Sequence, residues 1–395
     1  MTARRCSEPE PACSPGDKSN TSGGWLRSLT CVLGGFPSSS SKKVMKTIAW
    51  CRVALVLLIG AIPFVGQTAR AATGIPHEVL AFYYPWYGSP EKRGHPVHWG
   101  RVNADNHTIS NCAHYPEKGA YDSCDPTLID WQIDLAKSNG IAGFIASWWG
   151  QKKYEDFALP VLFECARKKG FKVAIYWEKA PGKGNEQIDD AVSDLVYLLA
   201  QHGSNKAFLK VGGKPVIFVY ERVMKEVPQT SWPAILSRTR AKAGDFLLIA
   251  DDYQESYTRL FHGLHRYNIS WALKGKSPDE LRAWAAQYYG DAVKLARKYG
   301  RISCVTVMPG YDDTKVRQPG RNADRQDGQA YCVLWEEAIK CKPDWVLINS
   351  WNEWHEGSEV EPSVEYAEKY LKLTRQYSPR FVGNPLLKPS TPAPN

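Results

Sequence analysis

The stretch Trp345-Val346-Leu347-Ile348-Asn349-Ser350 is followed at once by Trp351-Asn352-Glu353-Trp354-His355-Glu356-Gly357, and the chain changes character at that boundary. A short apolar run without polar alternation reads as a strand covered on both faces, as in parallel sheets flanked by helices. Upstream, seven further runs of this kind occur: Val79–Tyr84, Ile141–Ser147, Lys172–Trp177, Pro215–Tyr220, Phe246–Ala250, Gly263–Tyr267 and Ile302–Val307. Between them lie the helix candidates Pro126–Asn139, Phe157–Lys169, Ile188–His202, Trp232–Ala243, Pro278–Tyr299 and Gly328–Lys340. Eight such units in about 320 residues predict an α/β chain folded as a single (β/α)8 (TIM) barrel. An open doubly wound sheet is the alternative, but no G-x-G-x-x-G or G-x-x-x-x-G-K-[ST] follows any strand.

Barrels of this class build their sites at the carboxyl ends of the strands. There the chain carries Tyr83-Tyr84-Pro85-Trp86-Tyr87, Ser147-Trp148-Trp149, Tyr176-Trp177-Glu178, Tyr220-Glu221, Asp251-Asp252-Tyr253, Tyr267-Asn268, Pro309-Gly310-Tyr311-Asp312-Asp313 and finally Trp351 to Glu356. Aromatic faces stack on sugars, and carboxyl groups cleave glycosidic bonds, so the combination points to a carbohydrate site. Glu353 and Glu356 are three apart. On a helical turn their Cβ atoms would lie about 5–6 Å apart, a spacing that suits retention of configuration better than inversion. Two glutamates at this spacing also occur on solvated helix faces; the flanking Trp351, Trp354 and Gly357 beyond a buried strand favour the catalytic reading. The first strand is followed by more than forty residues before a clear helix, and Gly88 to Cys124 is expected to fold over the barrel mouth as a long loop.

Trp351-Asn352-Glu353-Trp354-His355-Glu356-Gly357 with Glu361-Pro362 resembles the signature of glycoside hydrolase family 99, the endo-α-1,2-mannosidase and mannanase family. The likeness extends to Tyr83-Tyr84-Pro85-Trp86-Tyr87-Gly88, His98-Trp99, Tyr121-Asp122-Ser123 with Asp125-Pro126, Ser147-Trp148-Trp149, and Pro309-Gly310-Tyr311-Asp312-Asp313 with Arg317, across about residues 79–375. The resemblance implies a retaining endo-acting enzyme in which the substrate's own 2-hydroxyl attacks the anomeric carbon to form a 1,2-anhydro sugar. Carried over by position, Glu353 would take the proton from that hydroxyl. Glu356 would protonate the leaving oxygen and later activate water. No metal or cofactor is needed for this chemistry. The chain departs from the pattern at Ser358-Glu359-Val360, where a Thr-Gln-Ile-like stretch is expected, and in its longer first loop; both bear on subsites. A related group of glycosyltransferase-like barrels of polysaccharide biosynthesis carries a similar Trp-Asn-Glu-Trp-x-Glu-Gly motif. That group and a non-catalytic carbohydrate-binding barrel are the alternative readings.

The expected sugar-binding set is Tyr84, Trp86, Tyr87, Trp99, Trp148, Trp149, Tyr267, Tyr311, Asp312, Trp351, Asn352, Trp354 and His355. Trp148 and Trp149 point to opposite sides if they continue the strand, so one of the two is expected to face the sugar. His355 reads as a group that orients a carboxylate or a sugar hydroxyl, since a lone histidine does not make a zinc site. Glu178 is a candidate third carboxylate.

The whole chain has 395 residues, 15 Trp, 20 Tyr and a formal net charge of +9. Residues 1–72 hold nine Lys/Arg against three Asp/Glu, so two thirds of that charge lies outside the barrel and a nucleic-acid partner is not expected. The expected partner is an oligosaccharide or polysaccharide substrate, and the chain is expected to be a monomer. Residues 1–44 read as a disordered extension or a mis-assigned start. Residues 45–71 read as an export signal, with Lys46 and Arg52, the apolar run Val53–Gly66 and the cleavage-like Ala69-Arg70-Ala71. Export follows, with membrane contact only if that segment stays uncleaved. The barrel is expected over 72–378 and a proline-rich tail over 379–395. Of six cysteines beyond residue 72, Cys112 with Cys124 and, more weakly, Cys332 with Cys341 are disulfide candidates, whereas Cys165 and Cys304 read as buried thiols. Asn106-His107-Thr108 and Asn268-Ile269-Ser270 fit the glycosylation pattern, which matters only in a eukaryotic source.

Overall fold

The computed structural model describes residues 75–179, 181–184 and 186–383. The expected N-terminal extension, the export signal and most of the proline-rich tail lie outside the described residues. Within them, no helix is long and apolar enough to cross a membrane.

Eight parallel strands form the barrel: β1 (Glu78–Tyr83), β2 (Gly143–Trp148), β3 (Lys172–Trp177), β4 (Lys214–Val219), β5 (Leu247–Asp251), β6 (Gly263–His265), β7 (Ile302–Val307) and β8 (Trp345–Ile348). Each pairs in parallel with its neighbours in sequence, and β1 with β8 closes the ring, Leu80 lying opposite Leu347. All eight expected strands are present, with ends displaced by a few residues at most. Closure removes the sheet edges, so every strand is covered on both sides. Leu80, Phe82, Ile145, Tyr176, Phe218, Ile249 and Leu347 fill the interior, while Val79, Ala81, Phe144, Ala146, Trp148 and Trp177 pack outward under the helices. This two-sided burial is why the strands read as unbroken apolar runs. At Gly263 a Cβ would lie 2.7 Å from Ile249 Cδ1 and 2.8 Å from Ile302 Cβ, so β6 fits between its neighbours only with glycine there.

Among the described residues, seven long helices surround the barrel: α1 (Pro126–Ser138), α2 (Tyr154–Lys169), α3 (Glu186–His202), α4 (Trp232–Ala243), α5 (Pro278–Lys298), α6 (Gln329–Cys341) and α7 (Lys369–Val382). Their ends follow local chemistry. Asp125 caps α1 by accepting from the Thr127 N–H, and Ser277 with Glu280 forms a capping box on α5 with Pro278 in the first turn. β5 and β6 are joined by a short 3-10 turn, Glu255–Arg259, instead of a helix.

Two expectations are corrected. The tail does not begin at Pro379: α7 runs through that proline to Val382, because Tyr377 and Phe381 are buried and Ser378 Oγ donates to the Gly140 carbonyl at 2.6 Å. Packing thus outweighs a proline in the last turn. Neither expected disulfide forms, and all six cysteines among the described residues are free thiols. Cys332 and Cys341 lie on one helix, about 13 Å apart by its rise, well beyond disulfide reach. Cys112 packs in the mouth of the barrel with Sγ 3.6 Å from Asn111 Oδ1, whereas Cys124 sits on the turn closed by Asp122. Cys165 and Cys304 are buried.

Candidate active site

The loop after β8 is held from three directions. Asn349 Nδ2 donates to the Tyr267 carbonyl at 2.9 Å, and Ser350 Oγ accepts from the Glu353 N–H at 2.8 Å. Asn352 ties the loop to β1: its Oδ1 accepts from Tyr84 N–H at 2.7 Å, and its Nδ2 donates to the Tyr84 carbonyl and the Tyr121 hydroxyl, both at 3.1 Å. The turn ends at Gly357, with φ of 55° and only 3.0 Å between a would-be Cβ and the Asp312 carbonyl. Glycine alone takes that conformation and that approach without strain.

This scaffold places Glu353 and Glu356 on one cleft of about 290 Å³, with Tyr84, Trp86, Trp149, Glu178, Tyr267, Val316, Arg317 and His355. A second cavity of about 370 Å³ opens at the opposite end of the barrel; its single acid, Glu78, is paired with Lys172. Paired carboxyl groups converge only in the first.

The two glutamates have different surroundings. Glu356 Oε2 accepts from the Tyr267 hydroxyl at 3.1 Å, and Tyr267 in turn accepts from Tyr84 at 2.7 Å. Glu356 Oε1 lies 3.0 Å from the Tyr311 hydroxyl and 3.2 Å from Arg317 Nη1, and that guanidinium also bridges to Asp313 at 2.5 Å. Burial raises the Glu356 proton affinity, and Arg317, Tyr311 and Tyr267 pull it back. Glu353 is buried, its Oε2 has no hydrogen-bond partner, and its Oε1 lies 3.6 Å from His355 Nδ1. Burial first, then the charges of Glu356 and Glu178, drive its pKa well above the carboxylate range. Glu178, 3% exposed with Oε1 unpartnered, is pushed up to about 8, chiefly by burial. Acids with proton affinities set so differently by environment can divide acid and base tasks between them.

Of the sequence candidates, Tyr84, Trp86, Trp149, Glu178, Tyr267, His355, Glu353 and Glu356 line the cleft. The others stand behind it. Tyr87 is stacked on Trp99 at 4.0 Å and accepts from the Trp354 N–H at 3.1 Å, while the Trp99 and Trp354 indoles donate to the Tyr121 carbonyl and hydroxyl. Trp351 packs outward against Phe144. Tyr311 backs Glu356, and Asp312 closes its own turn by accepting from Thr314 and Asn322. Trp148 is corrected from a sugar contact to a core residue: it points outward, fully buried, and donates to Asp156 Oδ1 at 2.9 Å. Trp149 is the one that faces the cleft, with Arg222 stacked 4.7 Å from its ring. Val316 and Arg317 were absent from the candidate set; Arg317 was visible as part of a motif, but nothing in the sequence reveals that the loop folds back onto Glu356.

A closed (β/α)8 barrel with buried, converging carboxyl groups in an aromatic-walled cleft at the carboxyl ends of its strands is the layout of a glycoside hydrolase. The chain belongs to glycosyl hydrolase family 99, whose model matches residues 75–380. It is 26% identical over 355 residues to the glycoprotein endo-alpha-1,2-mannosidase of Rattus norvegicus, covering 77% of this chain and 74% of that protein. It is 25% identical over 357 residues to the glycoprotein endo-alpha-1,2-mannosidase-like protein of Homo sapiens, covering 77% and 76%. The solved family 99 endo-alpha-mannosidase from Bacteroides thetaiotaomicron superposes with a TM-score of 0.64 at 25% identity, covering 77% of this chain and 97% of that one.

Proposed function

We propose that this glycosidase is an exported, retaining, endo-acting α-mannoside hydrolase in which Glu353 is the base and Glu356 the general acid and base. The observation that carries the reading is the convergence of these two buried carboxyl groups on one aromatic-walled cleft. Glu353 takes the proton of the sugar's 2-hydroxyl as that oxygen closes on the anomeric carbon, and Glu356 protonates the departing oxygen. Water, deprotonated by Glu356, then opens the 1,2-anhydro ring. Mannose suits this path because its 2-hydroxyl stands trans to an α-linked leaving group. The names of the mammalian and bacterial relatives support α-mannosides as the substrate class. The composition of residues 45–71 supports export.

Incubation of the chain from Ala72 onward with α-mannans and glucosylated mannose oligosaccharides, beside Glu353→Gln and Glu356→Gln, tests the reading. Oligosaccharide release by the parent, lost in both variants, is expected. Undiminished release by either variant would remove it from the mechanism. Proton NMR of the first-formed reducing sugar should show the α anomer; a β anomer refutes retention.

A further inference from the structure

Glu353 sits where a carboxyl group prefers to keep its proton, yet as a base it must have lost it. No donor reaches its Oε2, and His355 Nδ1, a neighbouring group able to receive a proton, lies 3.6 Å from Oε1. The other ring nitrogen of His355 lies 2.8 Å from the His98 carbonyl, so Nε2 carries a hydrogen and donates it there. Asn111 fixes that carbonyl: its Oδ1 accepts from the Gly100 N–H at 2.7 Å, which sets the amide orientation and leaves Nδ2 to donate to the His98 oxygen at 2.9 Å. The same Nδ2 also lies 3.1 Å from His355 Nε2, but the closer His98 carbonyl can only accept, which keeps the hydrogen on Nε2. A neutral His355 in this setting turns its Nδ1 lone pair toward Glu353.

We infer that Glu353 and His355 share one proton, and that His355 holds it during turnover so that Glu353 meets the substrate as a carboxylate. This rests on Glu353 being the base. The pair is neutral overall with the proton on either partner. In the charged arrangement one imidazolium N–H donates to the His98 carbonyl at 2.8 Å while the other faces Glu353 Oε1 at ion-pair distance, 3.6 Å. Burial and, less strongly, the charge of Arg317 lower the His355 proton affinity, and the hydrogen bond to the His98 carbonyl raises it; attraction to an adjacent carboxylate acts in the same upward direction. The titratable groups facing the pair are Glu356 on its own loop, Arg317 from the β7 loop, Glu178 at the end of β3, Tyr267 after β6, and Tyr84, Tyr87, His98 and Cys112 from β1 and its loop. Near neutral pH His98, held at about 4, is uncharged, Glu178 is protonated, and Arg317 offsets Glu356.

The proton balance closes. In the first step the Glu353 carboxylate takes the 2-hydroxyl proton, the O2–C1 bond forms, and the C1–leaving-oxygen bond breaks with a proton from Glu356. In the second, water bonds to C1 and gives a proton to Glu356, the O2–C1 bond breaks, and O2 recovers its proton from Glu353. His355 keeps its proton through both steps, so it acts through Glu353 as a positioning residue.

The test is the pH profile of kcat/KM for the full chain and His355→Gln, which cannot take a proton. The acidic limb should move up by about one unit or more, with activity recovering on the alkaline side. An equal fall at every pH, with the limb unmoved, overturns the inference. Glu353→Gln in the same assay separates the two readings: full activity there sinks the base assignment itself, whereas an inactive Glu353→Gln beside an unmoved limb sinks only the shared proton. If His355→Gln does not fold, 15N NMR of histidine-labelled parent decides. One imidazolium signal persisting at neutral pH and lost in Glu353→Gln is expected; no such signal overturns the inference.

Discussion

The Tyr267 hydroxyl donates to Glu356 Oε2 at 3.1 Å while accepting from Tyr84 at 2.7 Å, so a residue of β1's loop stabilises, through one of β6's loop, a carboxylate carried by β8's loop. Tyr267→Phe removes the donor that holds down the Glu356 proton affinity. The acid form of Glu356 then persists to higher pH, so the alkaline limb of kcat/KM should move up. Loss of one charge-assisted hydrogen bond should lower kcat about tenfold, or about 1.4 kcal/mol. Steady-state kinetics across pH check both.

Glu178 gives a stability prediction with a definite sign. Its folded pKa of about 8 lies above its unfolded value, so its protonated form stabilises the fold at low pH, and that contribution is lost as pH rises toward 8. Glu178→Gln keeps the neutral shape and cannot ionise. Its melting temperature relative to the parent should therefore climb between about pH 4.5 and 8. A difference that stays flat over that range would show that Glu178 ionises normally.

Asn352 should matter for stability before catalysis. Asn352→Ala strands the Tyr84 N–H and carbonyl in a buried site, at a cost of about 2–4 kcal/mol measured by denaturant unfolding.

The two adjacent tryptophans separate cleanly. Trp148→Phe loses the Asp156 bond and should cost about 1–2 kcal/mol of stability with KM unchanged. Trp149→Ala should raise KM severalfold and barely alter unfolding, because that ring faces the cleft. Reversed results would place the sugar on the other face of β2.

Reducing agent should leave the melting temperature of the chain from Ala72 unchanged, since no disulfide links the six thiols beyond that point among the described residues. A fall of several degrees would mean that Cys112 and Cys124 can join.

The barrel was legible because two-sided burial writes each strand as an unbroken apolar run, and helix starts such as Asp125-Pro126 and Ser277-Pro278 announce themselves through local capping. The candidate carboxylates were legible because they directly follow β8. Side-chain direction was harder to read. Trp148 and Trp149 look alike as letters, and the strand's pleat sends one into the core and the other to the cleft. Asn352 and Trp354 resemble sugar contacts in a motif, but their partners, Tyr84 and Tyr121, lie more than two hundred residues away. Arg317 comes to Glu356 across thirty-nine positions. The sequence by itself determined the eight strands, most of the helices and the loop that bears both glutamates, since these depend on local periodicity and capping. Only the tertiary structure decided which aromatic faces the cleft, that Pro379 stays helical, that the cysteines remain apart and that His355 meets Glu353. Those outcomes depend on contacts between distant segments, whose energies no local pattern encodes.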